Sequence, residues 1–133
     1  MGNGALVRTW MTLAGIVLVG IGLLGFIDNP IVGKASGAIV PTDNTHNIVH
    51  LFTGLLALYI GLRLRGQNQV SGAIGFGILY LVILLAVLIS PDLFGFFDVP
   101  ANAAVHAIHA ALAVVSLGVG WLARNSAPAY DPR

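Results

Sequence analysis

The stretch VSGAIGFGILYLVILLAVLI, running from Val70 to Ile89, holds twenty residues without a single charge. At 1.5 Å per helical residue it spans the roughly 30 Å hydrocarbon core of a bilayer. Three further apolar blocks lie around it: Thr9 to Ile27 and His46 to Leu62 before it, and Asn102 to Leu122 after it. Their separators are rich in helix-breaking and polar residues. Asp28-Asn29-Pro30 follows the first block, Arg65-Gly66-Gln67-Asn68-Gln69 the second, and Ser90-Pro91-Asp92 the third. A membrane β-barrel would alternate polar and apolar residues, and an open strand would leave its backbone groups unpaired in lipid. The reading is an all-α membrane protein: a four-helix transmembrane bundle in one integral domain over residues 1–133.

Composition leads to the same class. Of the 133 residues, 57% are hydrophobic and only 8% charged, against about 25% charged in a soluble domain. Six basic and five acidic side chains cannot cover a soluble surface. The formal net charge of +1 offers no field for nucleic acid. The chain has no cysteine, which removes disulfides, thiolate metal sites and iron–sulfur clusters. It has no glutamate either, and no aspartate inside a span, so the acid–base pairs of intramembrane hydrolases are missing and no enzyme is expected.

The basic residues fall unevenly. Arg8, Arg63, Arg65, Arg124 and Arg133 share the side of the N-terminus, the second loop and the C-terminus; Lys34 stands alone on the other. Positive charge stays on the cytoplasmic face, which places both termini in the cytoplasm and the histidine-bearing ends of the spans outside. Trp10 and Trp121 sit where interfacial anchors are expected. Phe94, Phe96 and Phe97 in the third loop are read as headgroup-level residues, with a ligand lid or partner contact as the alternative.

The two halves resemble one another. With His106 laid opposite His50, Val49-His50-Leu51 aligns with Val105-His106-Ala107, and a glycine-rich span precedes each. This reads as two copies of one helical hairpin sharing an orientation, related by an axis along the membrane normal. Glycine and alanine faces on the first, third and fourth spans suit close helix packing or a partner.

All four histidines lie in the outer thirds of the second and fourth spans. His46, His50 and Thr53 form an i, i+4, i+7 stripe, and Asn102, His106 and His109 form another. Paired through the repeat, they make three polar layers: His46 with Asn102, His50 with His106, and Thr53 with His109. Buried histidines in a membrane span are costly and ask for a role. One reading is structural, with neutral imidazoles and a polar layer of Asn47, Thr53 and Asn102 tying the hairpins together. A second makes His50 and His106 ligands of a haem or a chlorophyll-like pigment, or assembles His46, His50, His106 and His109 around a transition metal. A third is a small channel or proton carrier fed by Asp43 and Asp98, for which the inner halves of the spans supply no ionisable relay.

The run Thr42 to Gly54 is similar to the Asn-x-x-His-Leu-x-x-Gly signature of a small bacterial four-span family of unknown function, DUF4383. Asn47, His50 and Gly54 match its first histidine region and His106 its second. The second match departs from the pattern in two places: Asn102 stands four residues before the histidine, and Ala107 follows it. The resemblance implies a four-helix fold in a bacterial membrane and no activity. Taken together, these readings point to a non-enzymatic structural or accessory subunit of a larger complex in the bacterial inner membrane. Its partners would be lipid and other membrane proteins; the alternatives are a cofactor-binding protein and a small channel.

Overall fold

The computed structural model describes residues 2–35 and 37–128. Arg133, counted above in the charge asymmetry, lies outside the described residues. Four helices carry the chain: α1 (Asn3–Leu24), α2 (Asn44–Leu62), α3 (Gly66–Ile89) and α4 (Ala103–Ala123). Each is long and apolar enough to cross a membrane. The expected spans hold within a few residues except at the start of α1. That helix begins six residues before Thr9, because Ala5, Leu6 and Val7 continue its helical pattern past Arg8.

Helices α1 and α2 pack along one another, as do α3 and α4, and the two hairpins join through α1 against α4 and α3. Glycines set both close contacts. A Cβ on Gly15 would meet the Gly54 carbonyl and the backbone of Leu58, each at 2.8 Å; one on Gly77 would meet the backbone of Leu117 at 2.9 Å and the Ala113 carbonyl at 3.1 Å. The same contact is built twice.

Helix caps fix the register of the repeat. Asp43 caps α2 by accepting from the His46 N–H, and Asn102 caps α4 by accepting from the Val105 N–H. Counted from these caps, His50 and His109 hold the same position, as do Gly54 and Ala113, and Gly61 and Gly120. The alignment of His50 with His106 is therefore displaced by three residues. It followed a local Val-His identity, whereas the caps and the glycine contacts set the spatial equivalence.

Polar side chains close the helix ends. Buried Gln69 donates to the carbonyls of Ile60 and Gly61, which are orphaned where α2 stops. Gln67 does the same for Arg124 and Ala127 after α4. With Asn3 donating to the Leu122 carbonyl, these bonds gather the start of α1, the α2–α3 turn and the end of α4 at one end of the bundle, where Arg8, Arg63, Arg65 and Arg124 also lie.

At the opposite end the first loop contains a two-stranded parallel pair that the sequence did not suggest, β1 (Val32–Gly33) with β2 (Val40–Pro41). Asn29 organises it, accepting from Ile31 and Val32 and donating to the carbonyls of Leu24, Ile27 and Val32. The third loop turns through Leu93, Phe94 and Gly95, all with left-handed backbone. Ser90 donates to Asp92 at 2.7 Å and holds its carboxyl below the ordinary range.

The tryptophans divide. Trp121 is exposed near the end of α4, with the Arg124 guanidinium 3.3 Å above its ring, as an interfacial anchor requires. Trp10 instead turns into the bundle and donates to Ser116 of α4 at 2.8 Å. That bond satisfies a fully buried hydroxyl.

Candidate metal centre

Among the described residues, α2 and α4 are the helices whose Cα atoms never come within 8 Å of each other. They lie diagonally across the bundle, and large side chains must fill the space between them. Near the loop end those side chains are histidines. Asp43 starts α2 so that His46 and His50, one turn apart, face inward, and Asn102 starts α4 so that His109 faces them. The rings of His46 and His50 stand 4.3 Å apart, centroid to centroid, and His109 lies 5.8 Å from the first and 6.4 Å from the second.

One nitrogen from each ring can be chosen so that all three lie within 4.8 Å of one another. The three residues are only 1–2% exposed. Both ring nitrogens of His46 and of His50, and Nδ1 of His109, have no hydrogen-bond partner among the described residues. A buried polar group left unpaired costs about 1–3 kcal/mol. Three imidazoles with unpaired nitrogens, grouped this closely, form an arrangement that a shared ligand would repay.

Aromatic walls enclose the group. Phe97 stacks on His46 at 4.3 Å with the planes 9° apart. The Tyr80 ring of α3 lies 5.7 Å from His109, and its hydroxyl is 2.6 Å from Thr53 Oγ1. Thr53 also donates to the Val49 carbonyl at 2.8 Å. Asp43 lies buried beside the group at the start of α2. One carboxylate oxygen accepts from the His46 N–H at 2.8 Å, and the other accepts from the N–H groups of Asp98 and Val99. A single buried side chain thus caps α2 and pins the third loop over the histidines.

Of the expected site residues, His46, His50 and His109 come together and His106 stands outside the group. It is half-buried on the neighbouring face of α4, one turn before His109. The expected layers change accordingly: Thr53 meets Tyr80 rather than His109, and Asn102 leaves the polar layer. An N-cap lies outside the helical face, and the Asn102 amide reaches the Ile39 carbonyl of the first loop. Asn47, expected in the hydrogen-bonded polar layer, is buried against Gly25, where any Cβ would overlap its amide. Its amide nitrogen and oxygen are also unpaired.

Tyr80 and the capping role of Asp43 were not anticipated, and Phe97, read with Phe94 and Phe96 as a headgroup-level residue with a ligand lid as the alternative, is instead buried against His46. A lone tyrosine deep in the third span was a usable signal, because its hydroxyl must find a partner there. So was Asp43 just ahead of an apolar run. For Phe97 the sequence carried no mark separating it from Phe94 and Phe96, which are both exposed.

A family described as Domain of unknown function (DUF4383) has a model that matches residues 8–122. The chain belongs to this family. No curated protein and no solved structure matches the chain.

Proposed function

We propose that this DUF4383 member is a non-enzymatic, multi-pass protein of the bacterial inner membrane that holds a transition-metal ion between His46, His50 and His109. One observation carries the reading: three almost fully buried histidines on two diagonal helices converge donor nitrogens within 4.8 Å. Imidazole is a ligand for zinc, copper, iron and nickel. A metal–nitrogen bond of about 2.0 Å separates two such donors by about 3.5 Å, so small ring rotations close the group onto an ion.

The geometry favours an ion over a macrocycle. A bis-histidine haem or a chlorophyll-like pigment needs a flat slot beside or between its imidazoles. Here the rings lie against one another and against Phe97 and Tyr80. The gathered arginines support cytoplasmic termini, with the metal at the outer end of the bundle.

A subunit role in a larger complex is the second reading. The exposed rings of Phe94 and Phe96, on the loop that also seats Phe97, favour it. Chemical cross-linking in native membranes tests it, and absence of any cross-linked species other than the monomer would count against it.

The test of the metal reading is elemental analysis and an absorption spectrum of protein purified gently from its own membrane, compared with a His50→Ala, His109→Ala double variant. About one metal ion per chain, lost in the variant, is the expected result. A folded protein free of metal, and unable to take any up on addition, overturns it.

A further inference from the structure

We infer that the ion this centre takes is monovalent copper, held by three imidazoles without a fourth ligand; the inference rests on the metal-site reading above and names its occupant. The donor set comes first. Among the described residues the convergent group contains three histidines and no fourth histidine or carboxylate, and the chain has no cysteine. Zinc is almost always four-coordinate, completing a three-histidine set with water. Copper(I) has the same closed d10 shell as zinc(II) but half its charge, and is satisfied by three donors in a plane.

The surroundings leave little for a water ligand. Phe97 covers one face of His46, the Tyr80 ring flanks His109, and the Tyr80 hydroxyl is engaged by Thr53. The histidines themselves are closed off from the surface.

Charge decides between the remaining ions. The cost of taking an ion out of water grows with the square of its charge, so a divalent ion is penalised about four times as heavily as a monovalent one of the same size. All three ligands are neutral when they bind metal. His46 lies in the first turn of α2 and His109 in the second turn of α4, so both helices turn their positive ends toward the site. Asp43 is the one buried carboxylate among the described residues, and it caps α2 three residues ahead of His46. One negative charge balances one monovalent ion. A divalent ion would leave a net positive charge beside two positive helix ends inside lipid.

The test uses the full-length protein in detergent, kept free of oxygen. It is offered copper reduced with ascorbate in one series and zinc alone in another, each against a chromogenic chelator of known affinity. We expect one copper(I) per chain, with an X-ray absorption spectrum of a three-coordinate, all-nitrogen site. Zinc should bind at least about tenfold more weakly. Copper binding should drop by about a hundredfold or more in His50→Ala and persist in His106→Ala, whose side chain lies outside the group. Zinc held as tightly as copper, or a four-coordinate copper site, overturns the copper assignment and leaves the metal centre standing. Failure of the wild-type protein to bind either ion overturns the copper assignment, and failure to take up iron or nickel as well overturns the metal centre. The absorption spectrum is read on the unaltered chain, so an unstable variant does not shield the proposal.

Discussion

Phe97 lies flat on His46, with ring centroids 4.3 Å apart and planes 9° from parallel. The contact joins the third loop to α2, and the bonds from Asp98 and Val99 to Asp43 hold it in place. Phe97 is buried while Phe94 and Phe96 on the same loop are exposed, which makes Phe97 the cover of the histidine group.

Removing that cover should loosen both the loop and the centre. Phe97→Ala is expected to cost about 3 kcal/mol, the low end for a buried phenylalanine. It should also speed the loss of bound metal to a chelator. Thermal unfolding in detergent and chelator-driven release, followed together, check this. Unchanged release in a destabilised protein would show that Phe97 serves packing alone.

The Thr53–Tyr80 bond should be asymmetric. Thr53→Val leaves the buried Tyr80 hydroxyl without its partner and should cost about 1–3 kcal/mol. Tyr80→Phe should cost less, because Thr53 keeps its bond to the Val49 carbonyl. The double variant should be less destabilised than the sum of the two, by an interaction energy in the range of about 0.5–3 kcal/mol. Equal single-variant costs with full additivity would contradict the described bond.

Glycine substitutions should separate contacts from open surface. In Gly15→Ala the new methyl meets the Gly54 carbonyl and the Leu58 backbone, so α1 must move off α2, at about 1–3 kcal/mol. Gly20→Ala and Gly75→Ala meet nothing within 4 Å and should stabilise slightly through helix propensity, by about 0.5–1 kcal/mol. Heat-induced aggregation in one detergent ranks the three.

Asp92 offers a test by pH. Its carboxyl is held low in the fold by the Ser90 hydroxyl, so the contribution is present above the ordinary aspartate range and disappears as pH falls through the lowered value. Ser90→Ala should move the titration of Asp92 upward, as read by carbon NMR of the labelled carboxyl. No movement would mean that the hydroxyl does not carry the effect.

The four spans were legible because hydrocarbon permits so few solutions: a run such as Val70 to Ile89 can satisfy its backbone there only as a helix. The histidine stripe on α2 was legible for the same local reason, since His46 and His50 are one turn apart on any helix. The partner stripe was misread by one turn of α4. Val105-His106 repeats Val49-His50 in letters, while the caps at Asp43 and Asn102, also visible in the sequence, set the spatial match at His109.

By itself, then, the sequence determined the lipid solvent, the number of helices, the paired hairpins and the arginine-bearing end, because each follows from the residue types within a single segment or from their order. The tertiary structure alone decided that α2 and α4 lie diagonally, that His109 rather than His106 closes the group, and that Tyr80 and Phe97 wall it in. Those relations join elements distant in the chain. They depend on how closely Gly15 and Gly77 let each hairpin pack and on how Asp43 ties down the third loop, and no local pattern expresses a distance between helices.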